Sequence, residues 1–116
     1  MVPTSAALRL WAPVVLWAAV IFAFSSVPDL GTGLGTWDLV LRKGAHATEY
    51  AILAALLRRA TGSYGWAFAL AVAYAAGDEF HQTFVRGRHG SPIDAGIDAA
   101  GAAIGLMAWR RAVDLR

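Results

Sequence analysis

The chain has 116 residues, 58% of them hydrophobic and only 16% charged, with a mean hydropathy of +0.51. A soluble domain of this size keeps roughly a third of its unfolded-chain surface in water, and this composition would cover that surface with apolar patches, so it points to a bilayer. The net charge of +2 is too small to imply a nucleic-acid partner, and the absence of cysteine removes disulfides, a thiol nucleophile and thiolate metal sites.

The first apolar run, Leu8 to Phe24, is interrupted only by Arg9, and its length approaches the ~30 Å hydrocarbon core, which predicts a first transmembrane helix. The rival reading is a cleavable signal peptide, because a basic residue precedes the run and Ala23, Ser25 and Ser26 are small; the later apolar runs argue against it. Ser25 to Leu41 contains Pro28 and three glycines and is expected to be a loop, lying on the interface through Trp37. A second helix is expected over 42–59, polar in its first half and apolar in its second. A short turn near 61–65 leads to a third helix over 64–81, whose apolar start, Trp66 to Ala76, runs on into Asp78, Glu79 and His81. After a polar loop, Phe84 to Pro92, a fourth helix is expected over 93–109, with Gly101 and Gly105 spaced for close helix approach. The fold class is therefore all-α: a small integral membrane four-helix bundle, a single domain over residues 1–116.

With four spans, both termini and the 61–65 turn share one side of the membrane. That side holds Arg9, Arg58, Arg59, Arg110, Arg111 and Arg116, against Arg42, Lys43, Arg86 and Arg88 on the other, and the positive-inside rule places the termini in the cytoplasm. The acids Asp29, Asp38, Glu49, Asp78, Glu79, Asp94 and Asp98 and all three histidines gather toward the outer half. On helix two, His46 and Glu49 share a face, as do Arg42 and His46, with Lys43 and Tyr50 nearby. On helix three, Asp78, His81 and Gln82 share one, and Asp94 and Asp98 sit at i, i+4 on helix four. Ionisable groups inside spans are costly and normally paired or lining a wet cavity, so this concentration is a candidate site. The bland alternatives are snorkelling of Arg42, Lys43, Arg86 and Arg88 to headgroups, and ion pairs of Glu49 with Lys43 or Arg88 and of Asp94 and Asp98 with Arg86 or Arg88 that simply hold the bundle together. His89 reads as solvated, Ser25 and Ser26 as helix-end residues, and the five tryptophans as packing and interfacial anchors.

The sequence Phe24-Ser25-Ser26, then Lys43-x-x-His46-x-x-Glu49-Tyr50, then Asp78-Glu79-x-His81-Gln82, then Arg86-Gly87-Arg88, then Asp94 with Asp98 and Gly101, resembles the VanZ-like family in motif order along nearly the whole chain. The resemblance implies a small bacterial integral membrane protein of the cytoplasmic membrane, in a family named for a protein that lowers susceptibility to the glycopeptide teicoplanin. It does not extend resistance to this member. Carried over, the family's residues are Lys43, His46, Glu49, Tyr50, Asp78, Glu79, His81, Gln82, Arg88, Asp94 and Asp98; Asp98 stands where many relatives are expected to have Asn.

Two functions compete. In the first, the site binds or acts on a lipid-linked phosphate or other envelope component: Arg42, Lys43 and Arg88 hold phosphate oxygens, Tyr50, Gln82, Asp94 and Asp98 complete the binding surface, and His46 or His81 is the acid/base, oriented by Glu49, Asp78 or Glu79. A metal-bound version draws on His46, Glu49, His81 and one of Glu79, Asp94 or Asp98, a mixed N/O set. In the second, the protein is a non-enzymatic scaffold whose polar cluster is an ion-pair network or binds a partner or glycopeptide. A proton relay is a third reading, weakened by the lack of a polar cluster in the cytoplasmic half. No cofactor is specified. Four short helices bury little surface, which leaves room for a homodimer.

Overall fold

Four α-helices and no strand form among the described residues, 5–26, 36–85 and 92–114, of a computed structural model. They are α1 (Ser5–Ser25), α2 (Thr36–Thr61), α3 (Tyr64–Gln82) and α4 (Pro92–Asp114). Each contains the segment expected to be apolar and helical, but α2 begins well before residue 42. Gly35 is the last helix breaker before Gly44, and Trp37 and Leu41 fall inside the helix rather than in a loop. The rest of the expected loop, residues 27–35, lies outside the described residues, as do Arg86, Arg88 and His89.

The connection between α2 and α3 is tighter than the sequence suggests. Gly62 adopts the left-handed conformation that closes a helix, and its amide donates to the Arg58 carbonyl at 2.9 Å. Ser63 then caps α3, its hydroxyl accepting from the Trp66 amide at 3.1 Å. Two residues therefore reverse the chain and set α2 and α3 antiparallel. Pro92 opens α4 at the first helical position, where its missing amide leaves no hydrogen bond unmade.

Cross-helix contacts fix the arrangement. Residues 43, 46, 47 and 51 of α2 meet residues 94, 98, 101 and 105 of α4 in the same order, so these two helices run parallel. Residues 18, 22 and 25 of α1 meet 74, 81 and 82 of α3 in the same way. Helix α2 touches all three others and packs most extensively on α4, whereas α1 and α4 are not in contact. The α2–α4 seam is narrow because of two glycines. A Cβ at Gly101 would stand 2.7 Å from the Cα of Ala47, and one at Gly105 2.6 Å from the Cα of Ala51, so only glycine permits this approach.

Alanine supplies much of the core among the described residues. Ala54, Ala67, Ala71, Ala75 and Ala102 are buried, with Leu53, Leu57 and Leu106 from α2 and α4 and Val14 and Ile21 from α1. The outer surface carries the large apolar side chains: Val15, Leu16 and Phe22 on α1, Leu41 on α2, Trp66 on α3, and Ile104 and Met107 on α4 are all exposed. Of the four helices only α1 is long and apolar enough to cross a membrane by length and composition; the ionisable residues in α2, α3 and α4 reduce their apolar stretches.

Candidate functional site

The buried stripe of each helix changes character along its length. On α3, Ala67, Ala71 and Ala75 lead at helical spacing into Asp78 and Gln82, with Glu79 beside them. On α2 the stripe of Leu57, Leu53 and Tyr50 runs back to His46 and Lys43, and on α4 that of Leu106 and Ala102 runs back to Asp98 and Asp94. Because helices successive in the chain alternate in direction, all these polar ends meet at one end of the bundle, with the C-terminal end of α1.

The pairings are specific. Lys43 of α2 forms an ion pair with Asp94 of α4, both partly exposed at the rim. One turn deeper, His46 Nδ1 stands 3.3 Å from Asp98 Oδ1. Asp98 is 1% exposed, and neither of its oxygens, nor His46 Nδ1, is engaged in a hydrogen bond of acceptable geometry. One turn deeper again, the buried Tyr50 hydroxyl donates to Asp78 Oδ2 at 3.2 Å. Lys43, His46 and Tyr50, at steps of three and four, thus meet three carboxylates on two other helices. Glu79 is also buried, and one donor atom from each of His46, Glu79 and Asp98 lies within 4.8 Å of the other two.

A second group joins α1 to the end of α3. Gln82 Nε2 donates to the buried Ser25 hydroxyl at 3.4 Å, Ser26 Oγ lies 3.5 Å from His81 Nε2, and the His81 ring stacks on Phe22 with centroids 4.4 Å apart. His81 therefore faces α1, and neither it nor Glu49 belongs to the group of His46, Glu79 and Asp98. Glu49 is half-buried along an open groove between α1 and α2 that is otherwise nearly all apolar, walled by Trp17, Val40, Leu41 and Ile52. Its backbone carbonyl accepts from Trp17 Nε1 at 2.8 Å. Arg42 is half-buried on α2. Arg88 lies outside the described residues.

The carboxylate that meets His46 at 3.3 Å is Asp98, and a donor atom of Glu79, one of the acids expected to orient the histidine, lies within 4.8 Å of both. Asp94 has a cation from α2, Lys43. Ser25, expected only to end a helix, does so and is also buried against Gln82. Its signal was a serine closing a run that is otherwise apolar.

These are the residues by which the sequence resembles a family, and the comparison bears on the whole chain: the VanZ/LLP1 family model matches residues 6–113. The chain belongs to the VanZ/LLP1 family. No curated protein and no solved structure matches it. Four of the five motifs that carry the VanZ resemblance fall at least in part on described residues, and these converge on one end of the bundle. The Phe24-Ser25-Ser26 element meets His81 and Gln82, and the Lys43, His46 and Tyr50 series meets Asp94, Asp98 and Asp78.

Proposed function

We propose that the protein is a multi-pass membrane protein of the bacterial cytoplasmic membrane, and that its buried polar end, at the outer face, binds or acts on a lipid-linked phosphate or a related envelope component. The observation that carries this reading is the inverted distribution of side chains. Asp78, Glu79, Gln82 and Asp98 are buried between helices while Leu16, Phe22, Trp66, Ile104 and Met107 face outward. In water that arrangement is unfavourable twice over, through desolvated carboxylates and exposed apolar area; in a bilayer the outer residues are solvated by lipid and the polar groups are sheltered. Small-residue packing, with Gly101 and Gly105 against the α2 backbone, suits helices that associate within lipid. Only 11% of the most apolar window of α1 is buried, unlike the core helix of a soluble protein. Membership of the VanZ/LLP1 family supports the same reading, and the excess of basic residues near the termini and the α2–α3 turn favours cytoplasmic termini.

Within the site, Lys43 and Arg42 at the rim are the groups suited to phosphate oxygens, and His46 beside Asp98 is the pair suited to proton transfer. The apolar groove along Glu49 would take an acyl or prenyl chain approaching from the lipid side. The test is binding and turnover of an undecaprenyl-phosphate-type lipid by the protein reconstituted in nanodiscs. Binding in the micromolar range that falls at least about tenfold in Lys43→Ala, with turnover lost in His46→Ala, is the expected result; neither binding nor turnover by folded protein overturns it. A role in teicoplanin susceptibility is a separate outcome, read by expressing the protein in a susceptible host.

A second reading, a scaffold whose polar residues only hold helices together, is favoured by the Lys43–Asp94 and Tyr50–Asp78 contacts. Alanine at His46, Glu49, Asp78 or His81 separates the two. Variants that accumulate normally but lose lipid binding support the site; variants that only fail to accumulate support the scaffold.

A further inference from the structure

The deepest part of the polar end holds an enclosed carboxylate, Asp98, that faces the His46 ring at 3.3 Å and whose oxygens make no hydrogen bond. Among the described residues, the buried polar side chains include three carboxylates, Asp78, Glu79 and Asp98, and no lysine or arginine. Lys43 is held at the rim by Asp94. Asp98 is almost wholly enclosed and is aimed at His46 and Glu79 without a hydrogen bond to either of its oxygens. A buried carboxylate left this way is costly, and costlier still inside a membrane.

We propose that His46, Glu79 and Asp98 form a binding site for a divalent transition-metal cation. The three side chains come from three helices, α2, α3 and α4, and offer one imidazole nitrogen and two carboxylate oxygens, the mixed donor set of zinc and manganese sites. Their spacing fits. Two donors bound tetrahedrally at about 2.0–2.1 Å from one ion stand about 3.3–3.4 Å apart, and His46 Nδ1 and Asp98 Oδ1 stand at 3.3 Å without hydrogen-bond geometry. The full set lies within 4.8 Å, so the remaining donor closes on the ion by a side-chain adjustment of about 1.2 Å or less. The Tyr50 hydroxyl, bonded to Asp78 one turn below, braces the α2–α3 contact under the site, the kind of outer support that metal ligands use.

Three protein donors leave at least one coordination position open, available to water or to an oxygen of an anionic ligand. An ion there would also remove a difficulty in the lipid-phosphate reading, since an acid-rich pocket repels phosphate and a metal-loaded one attracts it. The metal site does not depend on that reading, and the two fail separately because metal binding is measured with no phospholipid or isoprenoid substrate present.

The experiment uses the full-length protein in detergent, with any affinity tag cleaved, stripped with a chelator and reloaded with Zn(II) or Mn(II) alone. Metal per chain is measured by mass spectrometry after removal of free ion. One ion per chain is expected, with affinity falling at least about tenfold in Asp98→Asn and in Glu79→Gln and unchanged in Arg59→Gln at the far end of the bundle. X-ray absorption of the zinc-loaded wild-type protein should show a single imidazole among oxygen donors, a readout that does not rely on any variant folding. Failure to retain either metal, equal retention by the folded Asp98→Asn and Glu79→Gln variants, or a shell with no imidazole overturns the proposal.

Discussion

At the scale of single residues, the buried polar groups differ in how well they are served. Asp78 receives one hydrogen bond, from Tyr50, and its other oxygen has none, so the Tyr50 hydroxyl carries its satisfaction alone. Tyr50→Phe keeps the ring and removes that donor. It should destabilise the protein by about 1–3 kcal/mol, visible as a lower thermal midpoint in detergent; an unchanged midpoint would mean that Asp78 does not rely on Tyr50. The chemistry of these residues was legible in the sequence, because acids and histidines inside apolar segments are conspicuous. Their pairing was not. His46 could be matched to Glu49 by helical spacing, but its neighbour Asp98 is 52 positions away on a helix that is not its successor, and nothing local in the sequence specifies that register.

At the scale of helices, the register is set by how closely α2 and α4 approach. Gly101→Ala places a Cβ against the backbone of Ala47, which cannot give way as a side chain would, so it should lower stability by about 1–3 kcal/mol or more through forced separation of the two helices. Gly96→Ala on the same helix meets open space and should instead be neutral or stabilising by about 0.5–1 kcal/mol, through helix propensity alone. Opposite signs for one chemical change are the expected result, measured by thermal or denaturant unfolding of both variants; the same loss in both would show that the seam is not what holds the register. The four helices themselves were readable from apolar runs, and the spacing of Gly101 and Gly105 announced a close contact. The early start of α2 was not readable, because proline and glycine between 28 and 35 made the whole segment look irregular, although none stands between Thr36 and Lys43.

At the scale of the whole molecule, many large apolar side chains lie outside and the buried carboxylates gather at one end. The chain contains no cysteine, so single cysteines can be introduced without background. In intact membranes, Leu16→Cys and Ile104→Cys should resist a water-soluble maleimide, while Arg59→Cys and Arg110→Cys should both react from one side only, the cytoplasmic side under the proposed topology. Ready labelling at Leu16 and Ile104 would remove the bilayer from the account. Helix α2 gives this molecule a particular kind of coupling. It touches all three other helices, and a single rigid rod presents Lys43 and His46 to α4 and Tyr50 to α3. Turning or sliding that rod by one residue would break all three meetings together, so they behave as the notches of one key rather than as separate fastenings. Substitutions at these positions should therefore combine non-additively, the second costing far less than the first.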